Sequence, residues 1–141
     1  MICFFDTSVL VATFQSDHPH HLPSLKAFAP ASIETSACSI HTLAEVYSAM
    51  SAMPVKPAPS PDQILHFMSE ITARLAPVAL TADEYLSSIR DAAARGITGG
   101  KIYDCLILAC ARKCKAEVIY TWNTKHFLRI APDMARQIQT P

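Results

Sequence analysis

Four stretches of this 141-residue chain set a polar or acidic side chain against apolar sequence. They are Asp6 after Ile2-Cys-Phe-Phe5, Glu45 in Thr42-Leu-Ala-Glu45, Asp104 inside Ile102–Ala111, and Thr121 with Asn123 at the end of Glu117-Val-Ile-Tyr-Thr121. Asp104 stands out most, because every other residue from Ile102 to Ala111 is apolar or aromatic. A buried ionised carboxylate is costly unless a cation, a set of donors or a helix terminus compensates it. Carboxylates gathered at one place also repel, which raises the pKa of at least one of them unless a divalent cation neutralises the group. Oxygen ligands suit Mg²⁺ or Mn²⁺, ions that keep several waters and take substrate phosphates directly. The chemistry to expect from such a set is metal-assisted hydrolysis of a phosphodiester by an activated water.

Each acid also has a purely structural reading. Asp6 is placed to cap a following helix. Thr42-x-x-Glu45 has the spacing of a capping box, with Glu45 bonding back to the Thr42 backbone N–H. Asp104 follows Gly99-Gly100 and could cap or sit in the first turn of its helix. Other chemistries are harder to write. The three glycines lie at 96, 99 and 100, so the chain has neither a phosphate-binding glycine loop, a dinucleotide fingerprint nor a G-x-S-x-G elbow. A phosphoryl-aspartate enzyme would want a second acid two residues after Asp6, where Ser8 stands.

The elements that must position these residues read as alternating strands and helices. Ile2–Phe5 is a short apolar run of the kind found in a central parallel strand buried on both faces. Val9–Phe14 continues as a helix, so Asp6 lies between a strand's C-terminal end and a helix N-terminus, where open parallel sheets bind ligands. Asp17–Pro23 is a loop whose three histidines fit no helical ligand pair and read as solvated. Leu22–Phe28 is a second helix with Pro23 near its start. A strand falls in the middle of Ile33–Ile40, and a helix runs from Thr42 to Met50 or Met53. Met53–Pro61 holds four of the ten prolines and is an irregular connection. Asp62–Leu75 has helical spacing at Ile64, Phe67, Met68, Ile71 and Leu75. Pro77–Leu80 is a short strand, and Thr81-Ala-Asp-Glu84 opens the next helix with first-turn acids. A last edge strand surrounds Ile138.

Composition bounds the rest. Half the residues are hydrophobic and mean hydropathy is +0.20, as in a globule with a real core. The longest unbroken apolar run is far below the ~20 residues of a membrane span, and the opening residues lack a basic n-region, so a cytoplasmic protein with no membrane association is expected. Five cysteines without a C-x-x-C pair read as small buried hydrophobes. The formal charge is zero, yet residues 90–141 carry nine Lys/Arg against four Asp/Glu while residues 1–89 carry three against eight. A polyanion would approach the C-terminal third.

The four stretches in this order resemble PIN-domain ribonucleases, specifically VapC-type toxins of bacterial toxin–antitoxin pairs. The resemblance rests on the strand ending in Asp6-Thr-Ser-Val-Leu10, Thr42-Leu-Ala-Glu45, Ile102-Tyr-Asp104, and Tyr120-Thr-Trp-Asn123 with Lys125-His-Phe127. It implies one PIN-like domain over 1–141, a three-layer α/β/α sandwich around a parallel sheet of four to five short strands. It further implies Mg²⁺ or Mn²⁺ dependence, RNA cleavage, a homodimer and inhibition by a cognate antitoxin. Asp6, Glu45 and Asp104 match the family's metal-holding acids. Asn123 falls where many members carry a fourth acid, which removes a negative charge and leaves Asn123 to orient water or substrate. Thr7 and Thr121 would donate hydroxyls to a phosphate or metal-bound water. The asparagine also keeps open a different class of function: a binding module of this fold, for RNA or a protein, with weak or no catalysis.

Overall fold

Successive residues of a strand point to opposite faces of its sheet, and in this protein that alternation feeds two separate apolar cores. The computed structural model describes all residues from 1 to 141. It contains strands β1 (Cys3–Phe5), β2 (Ser36–Ser39), β3 (Ala76–Val78), β4 (Val118–Tyr120) and β5 (Ile138–Gln139). The helices are α1 (Thr7–Phe14), α2 (His21–Phe28), α3 (Ile40–Ser51), α4 (Pro61–Arg74), α5 (Ala82–Ala94), α6 (Lys101–Lys113) and α7 (Thr124–Ile130). The five strands form one parallel sheet in the order β3-β2-β1-β4-β5.

Register carries the alternation across the sheet. Phe4 pairs with Ala37 on one side and Ile119 on the other, and all three join the core covered by α6 and α7. Phe5 pairs with Cys38 and Tyr120 and faces the core built with α1 to α4. The resulting layers are α/β/α. Burying each phenylalanine contributes about 1.5–3 kcal/mol, which is how a strand of three residues holds the centre of the sheet.

The chain winds from β1 outward through β2 to β3, then crosses back to lay β4 against the free side of β1. Adjacent strands whose connections leave in opposite directions open a crevice at their C-terminal ends. Here those strands are β1 and β4, and the residues just past them are Asp6 and Thr121.

Local signals set most helix starts. Ser60 and Gln63 close a capping box ahead of α4, with Pro61 at its first position, and Thr81 and Glu84 do the same for α5. The box expected at Thr42 and Glu45 does not form. Helix α3 begins two residues earlier at Ile40, capped by the Ser39 hydroxyl on the His41 N–H, so Thr42 is buried inside the helix. Asp104 is not a cap either: Gly100 occupies that position without a side-chain bond, and Asp104 lies in the first turn of α6. The same helix is not buried on every side, since Tyr103 is exposed. All five cysteines are free, two of them buried, and burial pushes the Cys38 thiol up to about 12. No helix is long and apolar enough to cross a membrane.

Candidate active site

Asp6 ends β1 and caps α1, so one side chain serves both the helix and the crevice. Its Oδ2 accepts hydrogen bonds from the Ser8 hydroxyl at 2.8 Å and from the Thr121 hydroxyl at 2.8 Å, with the Ser8 N–H at 3.4 Å. The carboxylate is almost fully buried, and that desolvation raises its pKa despite the donors. Ser8 ties β4 in as well, because its Oγ accepts from the Trp122 N–H at 3.0 Å. Thr121 Oγ1 accepts from the Asn123 N–H at 3.0 Å. The β1 and β4 ends are thereby locked into one network around Asp6.

Glu45 reaches the crevice from the second turn of α3. Thr7 donates to its Oε1 at 2.9 Å and lies 3.3 Å from the Thr42 hydroxyl, while His41 Nε2 is 3.9 Å from the same carboxylate oxygen. The early start of α3 is what aims this residue: with Ser39 as cap, Glu45 is free to turn toward β1 and not back to its own helix end. Asp104 arrives from α6 on the opposite layer. Burial first, then the charges of Asp6 and Glu45, push its pKa up to about 6, with His126 pulling the other way. No Lys or Arg forms an ion pair with any of the three acids.

The walls of the crevice, about 490 Å³, include Asp6, Thr7, Ser8, Glu45, Asp104 and Asn123. Asn123 is exposed and stands at the start of α7 without capping it. The crevice therefore brings together residues from positions 6, 45, 104 and 123 of the chain, while Thr121 supports it from beneath. Thr7 and Thr121, expected to face a phosphate or a bound water, spend their protons on Glu45 and Asp6. They hold the acids in place.

Four more wall residues escaped the sequence reading. Ser8 is the hub of the Asp6 network, and only its place two residues after a helix-capping acid could have marked it. His18 and His20, read as solvated loop, fold over the rim, and Trp122 forms the wall beneath them. His20 stacks on Trp122 with ring centroids 3.8 Å apart and planes 9° from parallel. Nothing in the spacing of these residues foretells that contact.

The arrangement is an uncompensated anionic pocket, not a finished cage. No three His, Cys, Asp or Glu side chains stand close enough to grip an ion on their own. Carboxylates that share a crevice with no cationic side chain still form a donor set suited to a hard divalent ion that retains water.

Solved structures with this fold include the VapC20 toxin of Mycobacterium tuberculosis, which cleaves the sarcin–ricin loop. It has a TM-score of 0.71 and 15% identity, with 88% of this chain and 92% of that one covered. VapBC2 of Rickettsia felis, bound to a promoter DNA fragment, matches with a TM-score of 0.65 at 21% identity over 100% and 99% of the two chains. VapBC-1 of nontypeable Haemophilus influenzae gives 0.63 at 19% identity over 99% and 98%. At such identities the likeness is one of fold. A sequence search of curated proteins finds no match. The PIN domain family model matches residues 3–132, nearly the whole length, and with the parallel sheet and the acids at its switch point, this chain belongs to the PIN domain family.

Proposed function

We propose that this protein is a single-domain, metal-dependent endoribonuclease, the toxin of a type II toxin–antitoxin pair. The observation that carries the reading is the meeting of Asp6, Glu45 and Asp104 in one crevice with no lysine or arginine paired to them. Leaving charge unpaired at a site costs stability, and functional sites are where proteins tolerate that cost. Mg²⁺ or Mn²⁺ would be held by these three acids, through retained waters where a carboxylate stands back from the ion. Once bound, such an ion supplies a water of lowered pKa and offsets the charge of the scissile phosphate.

The chain's own residues do the remaining work. Ser8 and Thr121 fix the Asp6 carboxylate, Thr7 fixes Glu45, and Asp104 is the acid left free to change its protonation state. Asn123, exposed at the crevice mouth, orients water or substrate. Lys101, His126 and Arg129 cluster beside the first turn of α6, so two of the nine Lys/Arg of the C-terminal third lie where a polynucleotide backbone can meet them. A cognate antitoxin, as in the VapBC assemblies of similar fold, a homodimeric state and a cytoplasmic location complete the proposal.

The second reading is a binding module that hydrolyses nothing. Asn123 in place of a fourth acid and the lack of a ready ion cage favour it. Calorimetric titration with Mn²⁺, followed by cleavage assays on single-stranded RNA, separates the two. Heat on binding, a raised melting temperature and Mn²⁺-dependent cleavage are expected. Binding of RNA with neither metal uptake nor cleavage would establish the module.

A further inference from the structure

Two pairs of stacked rings lie at the acids: one lines the crevice itself, and the other stands beside it, next to Glu45 and Asp104 in the chain. One is His20 on Trp122, described above. The other is His41 on Tyr103, with centroids 5.0 Å apart and planes 8° from parallel. They stand on different elements. Trp122 is anchored on the Asp6 side, where its N–H donates to Ser8 and its Nε1 donates to Ser24 at 2.9 Å. Tyr103 directly precedes Asp104, and His41 lies one helical turn before Glu45, on the α3 and α6 side.

Each pair ends in a ring open to solvent. His20 is exposed, and Tyr103 is 46% exposed although it lies on the helix that fills one core. The His20 loop is fixed by a bond from its own N–H to His18 Nδ1 at 3.0 Å, which holds the ring flat on the indole. Flat, pre-ordered aromatic faces next to a polar pocket are what unpaired nucleobases stack on. Every base has a π-face, so such contacts tolerate sequence while rejecting bases already stacked in a duplex.

We propose that His20/Trp122 and His41/Tyr103 are two base-stacking ledges, one in the crevice and one beside it, that seat unpaired nucleobases flanking the phosphate presented to the acids. The placement of that phosphate rests on the ribonuclease reading; the stacking itself does not. The substrate class is then a strand splayed open at the cleavage point, a loop or single strand and not a continuous helix.

Trp122 is the only tryptophan in the chain, so its emission reports one ledge without labelling. The test titrates the whole protein, in EDTA to prevent cleavage, with a single-stranded oligoribonucleotide, its duplex form, and the same strand with abasic sites at its centre. Saturating single strand is expected to quench Trp122, whereas duplex and abasic strands bind more weakly by about 5- to 100-fold. His20→Ala and Tyr103→Ala should each lose a comparable factor for the normal strand and little for the abasic one, while His20→Phe and Tyr103→Phe restore binding. Equal affinity for normal and abasic strands, or unchanged emission at saturation, overturns the ledges. Cleavage by the wild-type protein in Mn²⁺ is scored separately. Quenching without cleavage sinks the nuclease and keeps the ledges, and cleavage with equal abasic binding does the reverse.

Discussion

Two groups of acids in this molecule have opposite fates. Glu84 and Asp133 lie on the outer surface, where Lys113 bonds Glu84 at 2.7 Å and Arg112 pairs with Asp133. The lysine, with the Thr81 cap, holds Glu84 down to about 2, and the arginine lowers Asp133. Asp6 and Asp104 sit at the sheet's switch point with no lysine or arginine paired to them, and both are raised, Asp104 to about 6. The side chains are alike; the company differs. Folding has paired Glu84 and Asp133 with cations and left those that meet in the crevice without a lysine or arginine.

The largest break in that contrast should come from Asp104→Asn. On the proposed reading, in which Asp104 helps hold the ion, its loss should lower RNA cleavage by more than about 100-fold, since outer partners of metal ligands alone are worth about 10–100-fold. The same substitution should raise the melting temperature near pH 7.5, because it removes a charge that Asp6 and Glu45 repel. A variant that melts lower would mean Asp104 is structural.

The pH dependence sharpens the point. Between the ordinary aspartate value near 4 and the raised value near 6, the folded chain binds more protons at Asp104 than the unfolded chain does. This contribution to stability is therefore full below about pH 4 and is lost as pH rises through about 6. The melting-temperature gap between Asp104→Asn and wild type should open over that window and close below it. Adding Mn²⁺ should reverse the trend in the wild type alone, with stabilisation growing above pH 6 and reaching about 2.7 kcal/mol at a hundredfold excess over Kd.

A smaller effect is expected from Thr121→Val, which removes one Asp6 donor without touching the acids. Cleavage should fall about 10–100-fold, and stability by about 1.5–3 kcal/mol because a buried carboxylate loses one of its three donors, measured by urea unfolding. Asp133→Asn is the control on the other side. An exposed ion pair contributes about 0–1 kcal/mol, so melting should barely move and cleavage should not change. If Asp133→Asn cut cleavage as deeply as Thr121→Val, the division between the two acid groups would dissolve.

Much of the scaffold was legible because local chemistry decided it. The apolar run before Asp6, the helical spacing of Ile64 and Ile71, and the Thr81 cap before Glu84 each act within a few residues, and the corresponding β1, α4 and α5 formed where expected. The capping box at Thr42 failed for an instructive reason: Ser39 offered a competing cap just upstream, and the buried Thr42 made a better neighbour for Thr7. The histidine loop keeps His20 exposed, as its polarity suggests, but loop polarity says nothing about what the loop folds against. Here a tryptophan 102 positions later supplies the surface.

By itself the sequence determined the alternation of short strands and helices, the identity of the isolated acids and the end of the sheet to which they belong. These follow from hydrophobic period and capping, which are properties of neighbouring residues. Only the tertiary structure decided which acids go unpaired, and that the hydroxyls of Thr7 and Thr121 serve Glu45 and Asp6 across separations of 38 and 115 residues. Charge compensation depends on distances through space, and those exist only once β4 has crossed back to lie beside β1.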